Sequence, residues 1–110
     1  MRPFLALLLL AGCASTSRDW AAESQDVVRA QGPKLEACHR KHGHGAKGPF
    51  GRMEILLRLE GGRSVVSRKK SDLRSKKLER CVLDTFRSAS WPRLPEGERF
   101  TAEYPVDFRG

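Results

Sequence analysis

The chain has 110 residues, of which 39% are hydrophobic and 31% are charged, and its formal net charge at pH 7 is +8. This length accommodates one small domain, and such a domain buries only about 60–65% of the surface that its unfolded chain exposes. The composition therefore excludes a large hydrophobic interior and indicates a thin core that a covalent cross-link would help to stabilise.

The first twelve residues have the pattern of an export signal. Arg2 gives a positive start, and residues 4–10 are all apolar. A membrane-spanning helix needs about 20 apolar residues, so this run is too short to be one. The run leads into LAGC, ending at Cys13, which resembles the lipobox of bacterial lipoproteins. The alternative is an ordinary secretory signal with an incidental cysteine.

The lipobox resemblance implies that the peptide 1–12 is removed and that the Cys13 thiol and the new amino terminus are acylated. Several acyl chains hold a protein stably on a membrane. Ala14 in place of an aspartate implies, by the same resemblance, sorting to the periplasmic face of the outer membrane of a Gram-negative bacterium. Residues 13–25 are then the lipidated cysteine and a tether, and residues 26–110 form the domain.

Loss of residues 1–12 removes one basic residue, which leaves 20 basic and 13 acidic residues and a net charge of +7. A basic excess can indicate nucleic-acid binding. We expect no nucleic-acid partner, because an exported lipoprotein meets anionic lipid head groups and cell-wall polymers first.

A helical pattern begins near Asp19. Apolar and small positions recur on one side, but Gly32 and Pro33 interrupt the pattern. Proline is tolerated in the first turn of a helix, so we predict two helical pieces or one kinked helix that ends near His42. The predicted inner side consists of Trp20, Val27, Val28, Gln31, Leu35 and Cys38.

Three strands are predicted from alternation of apolar and polar residues. The first contains Met53, Ile55, Leu57 and Leu59 on one face. Gly61 and Gly62 then predict a hairpin turn, because paired glycines adopt positive φ angles at no steric cost. The return strand covers about 63–70. The last strand covers 100–108, and its Pro105, which lacks an amide proton, predicts an unpaired edge.

The strongest helical signal covers residues 72–91. Its apolar positions recur every three or four residues, and Ser75 or Asp72 can cap its start. We predict that it continues to Trp91, where Pro92 stops it. The predicted inner face consists of Leu78, Cys81, Val82, Thr85, Phe86 and Ala89.

The sequence contains no convincing catalytic or metal-binding arrangement. The segment CHRKHGH supplies Cys38, His39, His42 and His44, which a soft metal could use. The alternative, which we favour, is a set of solvated histidines in a basic, glycine-rich loop. Nucleophile, base and acid could be assembled only from unconnected residues, so we predict a protein without catalytic residues, metal or cofactor.

The order helix, strand, glycine hairpin, strand, helix, strand resembles a TonB C-terminal-like α+β domain, and in detail its AgmX/PglI C-terminal branch. The matching features are Cys38, Gly61-Gly62, Ser71-Asp72-Leu73, Cys81, and Tyr104-Pro105 with Phe108. The resemblance spans about 26–108 and departs at His39 and after Trp91. It implies an α-β-β-α-β fold, a three-stranded antiparallel sheet on two helices, and a role in protein interaction or envelope assembly.

A disulfide between Cys38 and Cys81 is predicted, because lipidation uses Cys13 and leaves two thiols on helices that should cover the same side of one sheet. We further expect the module to capture a segment of a periplasmic or outer-membrane protein by strand addition. The expected contact is the edge of the last strand at Thr101, Ala102 and Glu103. The alternative function is an accessory lipoprotein of an envelope or motility complex without a separable ligand.

Overall fold

The computed structural model describes residues 19–42 and 50–108. It contains three helices and one three-stranded antiparallel sheet, which confirms the predicted α+β fold. The elements are α1 (Trp20–Ala30), α2 (Gly32–His42), β1 (Gly51–Glu60), β2 (Arg63–Ser71), α3 (Lys76–Arg87) and β3 (Arg99–Phe108).

Helix α1 begins earlier than the predicted boundary between tether and domain. The Asp19 side chain caps it by accepting the Ala22 amide at 3.1 Å, which satisfies one of the unpaired amides of the first turn. The Trp20 indole donates to the Glu98 carboxylate at 3.1 Å. Residues 20–25, which we assigned to the tether, are therefore helical and attached to the folded part.

The break predicted near Gly32 and Pro33 is confirmed. A single turn residue, Gln31, separates α1 from α2, and Pro33 occupies the second position of α2. Its missing amide removes no helical hydrogen bond there, because first-turn amides have no partner within the helix. The inner side continues through the break, since Gln31 and Cys38 are both buried.

Strand β1 is the centre of the sheet, whose order is β2-β1-β3. Its alternating apolar side chains are completely covered by the helices, with at most 1% of their surface exposed. This face is formed by Met53, Ile55, Leu57 and Leu59. The predicted period of two is confirmed, because only one face of β1 packs against helices.

Two glycines are required by local geometry. Gly61 begins the β1–β2 turn with φ +58°, which confirms the predicted hairpin. Gly51 has φ +144°, and a β-carbon at this position would collide with the Asp72 carboxylate. The same carboxylate accepts the Arg52 amide at 2.6 Å. Gly51 thus lets the start of β1 approach the chain that leaves β2.

Helix α3 begins at the later of its two predicted starts and ends earlier than predicted. Ser75, not Asp72, is the cap, and its hydroxyl accepts the Leu78 amide at 3.1 Å. The predicted end at Trp91 is wrong, because the helix stops at Arg87. The Trp91 side chain instead folds back, and its indole donates to the Phe86 carbonyl at 2.7 Å. This hydrogen bond satisfies a carbonyl of the last helical turn that has no partner within the helix.

The buried face of α3 matches the predicted stripe. Leu78, Val82 and Phe86 have no exposed surface, and they lie at four-residue spacing on the side that faces the sheet. Trp91 packs near Phe86 on one side and stacks on Tyr104 of β3 on the other, with ring centroids 6.0 and 6.4 Å apart. The core therefore joins the single sheet to all three helices through a few large side chains.

Candidate partner-binding edge

Strand β3 lies at one edge of the sheet. It pairs antiparallel with β1 along its whole length, without a register shift. Within residues 19–42 and 50–108, no strand pairs with its other side. The prediction that the last strand has an unpaired edge is therefore confirmed for the described part of the chain.

Backbone contacts at the two ends of β1 establish which β3 groups point outward. The Arg52 amide and carbonyl both bond to Asp72, on the side of β2. The Gly61 amide bonds to the Glu98 carbonyl at 3.4 Å, on the side of β3. Backbone groups alternate in direction along a strand. The amides and carbonyls of the odd-numbered residues of β1 therefore point toward β3, and those of the even-numbered residues point toward β2.

The register then shows which β3 residues direct their backbone groups toward β1 and which direct them out of the sheet. Ala102 lies opposite Leu57, an odd-numbered residue, so its backbone groups point inward to the ladder. Thr101 and Glu103 lie opposite Arg58 and Leu56, so their amides and carbonyls point out of the sheet. Pro105 lies opposite Glu54 and belongs to the outward set, and its missing amide leaves one gap in the row of donors.

Of the three predicted contact residues, the structure thus places two on the outer edge and one on the inner side. Ala102 is half-buried and packs against the core. The side chains of Thr101 and Glu103 are exposed on the sheet face that carries no helix. No described residue bonds to either of their amides. An incoming strand would therefore pair with Thr101 and Glu103.

The opposite edge of the sheet, along β2, is capped at one carbonyl and distorted by a register shift. Val66 lies opposite Leu57, so its backbone carbonyl points outward. The guanidinium of Arg87, at the end of α3, donates to this carbonyl from two nitrogens at 3.2 and 3.3 Å. A register shift between Glu54 and Ile55 further distorts the pairing of β2 with β1. Bulges and covering side chains are common ways of protecting an edge from pairing.

Ion pairs cross the uncovered face of the sheet. Lys69 donates to Glu103 at 2.6 Å, and this hydrogen bond raises the pKa of Lys69. Arg52 lies 3.6 Å from Asp107, and Arg99 lies 3.8 Å from Glu60. The Lys69–Glu103 pair connects the two outer strands across β1, whereas the other two pairs join β1 to β3. All three lie at the surface, where such pairs contribute little to stability. They hold the Glu103 and Arg99 side chains over the sheet, away from the outer backbone edge.

The predicted disulfide is confirmed. Cys38 on α2 and Cys81 on α3 are joined, with sulfur atoms 2.08 Å apart and Cα atoms 5.8 Å apart. The Cα separation lies within the usual range for such bonds. The bond fastens α2 to α3, so it fixes the helix layer that supports the sheet.

In the described part of the histidine segment, His39 packs against aromatic side chains. The His39 ring stacks on Phe108 with centroids 4.8 Å apart, and it lies 5.6 Å from Phe50. His39 therefore packs where α2, β1 and β3 meet. Across the described segments, no group of three metal-ligating side chains could hold an ion, and His44 lies outside them.

Cys13 and the predicted signal and tether residues 1–18 lie outside the described residues. Among the helices of residues 19–42 and 50–108, none has the length and apolar content to cross a membrane.

Sequence reasoning missed the Arg87 contact with Val66. Arg87 looks like an ordinary exposed residue of the polar helix face, and nothing in the chain pattern pairs it with a residue 21 positions earlier. Only the packing of α3 beside β2 brings them together.

Comparisons with protein-family models, with curated proteins and with solved structures found no match.

Proposed function

We propose that this chain is a lipid-anchored envelope protein whose domain captures an extended segment of a periplasmic or outer-membrane protein by adding it as a fourth strand beside β3. The observation that carries the proposal is the contrast between the two sheet edges. On the β2 edge, Arg87 caps the Val66 carbonyl and a register shift distorts the pairing, whereas the Thr101 and Glu103 backbone groups have no partner within the described residues.

The chemistry of strand addition suits this edge. Main-chain hydrogen bonds give affinity in such complexes, and side-chain contacts at alternate positions give specificity. Thr101 and Glu103 together offer two amides and two carbonyls in the direction of an incoming strand. Pro105 limits the length of the pairing, which protects the edge against uncontrolled aggregation. The resemblance to TonB C-terminal-like domains supports the same strand, since members of that group pair a peptide there.

Replacement of Thr101 by proline tests the proposal. This change removes one outward amide and no ladder hydrogen bond, so the domain should stay folded and partner capture should fall by about tenfold or more. The measurement is recovery of the partner protein from native envelopes, followed by a binding titration with the isolated partner. Folding is checked from the circular dichroism spectrum and from the intact Cys38–Cys81 bond.

The matched control is Thr101→Val, which changes the side chain and keeps the amide. It should bind within about threefold of wild type. Full binding by a folded Thr101→Pro variant would show that the partner uses another surface. Equal losses in both variants would assign recognition to the Thr101 side chain and contradict strand addition.

Anchoring through Cys13 is tested separately. Labelled palmitate should be incorporated into the wild-type chain in a Gram-negative host, and the protein should fractionate with membranes. A Cys13→Ala variant should take up no label, because the acceptor thiol is missing, and should leave the outer-membrane fraction. Membrane association of an unlabelled wild-type chain would contradict lipidation and leave the β3 proposal unaffected.

A further inference from the structure

The basic excess of the chain is concentrated in one segment. Residues 63–80 contain eight basic and two acidic side chains, a net charge of +6, against +8 for the whole chain. This segment covers β2, the loop after it and the first half of α3. This part of the chain therefore supplies most of the net positive charge, and clefts lined by charges of one sign concentrate ions of the opposite sign.

A groove with a volume of about 420 Å³ lies between α2 and α3, and Lys77 and Arg80 of the basic segment line it. Lys34 and His42 line it from α2, and Lys77, Arg80 and Asp84 line it from α3. The volume is within the range of small-molecule sites, about 300–1,000 Å³. Both walls of the groove thus carry nitrogen donors.

The two walls run antiparallel. His39, near the end of α2, contacts Phe50 just before β1, and Asp72, shortly before α3, bonds to Arg52 at the start of β1. The end of α2 and the start of α3 therefore lie at the same end of the sheet. This arrangement puts His42, Lys77 and Arg80 at one end of the groove.

Lys34, Lys77 and Arg80 are in no ion pair within the described residues. The one acidic side chain of the groove, Asp84, lies 4.0 Å from the Arg87 guanidinium, which offsets part of its charge. An unpaired cluster of like charges repels itself, so a bound anion would stabilise it.

The groove is held at a fixed width. Cys81 is part of its lining, and the disulfide joins Cys81 to Cys38 on the opposite helix. Nitrogen donors on two walls at a fixed separation can bind an anion whose oxygen atoms point in several directions. A phosphate has three or four such oxygens, whereas a carboxylate has two in one plane, so the arrangement favours phosphate.

We propose that the groove between α2 and α3 is a binding site for a phosphate-bearing anion, held by Lys77, Arg80 and His42 at one end and by Lys34 at the other. This site is independent of the β3 edge. The same chemistry is present in the head groups of anionic phospholipids and in soluble phosphates.

The test uses the full chain with Cys13→Ser, so that acylation does not attach it to lipid. Binding is titrated with inorganic pyrophosphate by calorimetry, and with phosphatidylglycerol or phosphatidylcholine vesicles by sedimentation. The double variant Lys77→Gln/Arg80→Gln should weaken binding by about tenfold or more. The swapped variant Lys77→Arg/Arg80→Lys keeps both charges and should bind within about threefold of the parent chain.

The matched control is Arg63→Gln/Arg93→Gln, which removes the same charge at exposed positions near the hairpin turn. It should change affinity by less than about threefold, because exposed charges beyond a Debye length of about 8–10 Å contribute little in salt. Binding of pyrophosphate alone, of anionic vesicles alone, or of both supports the site and identifies the source of the phosphate. Binding of neither, or an equal loss in the control variant, would overturn the proposal.

Discussion

Loss of the Cys38–Cys81 disulfide is expected to lower the free energy of unfolding by about 4 kcal/mol. The bond connects residues 43 positions apart, and closing a loop of this length removes much of the conformational freedom of the unfolded chain. Small domains have total stabilities of about 5–15 kcal/mol. The reduced protein should therefore be marginally stable.

Urea unfolding with and without reductant measures this effect. The Cys13→Ser background leaves Cys38 and Cys81 as the only cysteines of the chain, so the reductant acts on one bond. The midpoint of the Cys13→Ser chain should fall on reduction. Adding Cys38→Ala and Cys81→Ala to this background should give the lower midpoint whether or not reductant is present. Coincident curves for the oxidised and reduced protein would contradict the expected contribution.

Phe86→Ala is expected to destabilise the domain by about 3–5 kcal/mol. The Phe86 side chain has no exposed surface, and it contacts the Trp91 ring. Removing it loses the transfer free energy of the ring and leaves a cavity that the surrounding sheet and helices cannot fill completely. In a core this small, such a loss is a large fraction of the total stability.

Chemical unfolding followed by tryptophan emission measures this cost, since Trp91 is buried beside Phe86. Phe100→Ala is the control, because it removes the same side chain from a half-buried position on β3. Its cost should be clearly smaller, by about 1 kcal/mol or more. Similar losses at the two positions would show that Phe86 does not have the central place in the core that its burial indicates.

The sequence by itself determined the order and type of the elements and the inner face of each one. These properties depend on local repeats: a period of two in β1 and β3, and three-to-four spacing in α3. It also predicted the disulfide pairing, because the lipobox resemblance assigned Cys13 to lipidation and the two remaining cysteines, Cys38 and Cys81, both occupy predicted inner faces.

Only the tertiary structure decided where α3 ends and which sheet edge stays open. The helix ends at Arg87, before Pro92, and the Trp91 indole donates to the Phe86 carbonyl of its last turn. Arg87 reaches Val66 because α3 crosses beside β2, and the strand register directs the Thr101 and Glu103 amides outward. Such contacts join residues that no local pattern relates, since their free energy arises only after helices and sheet have packed.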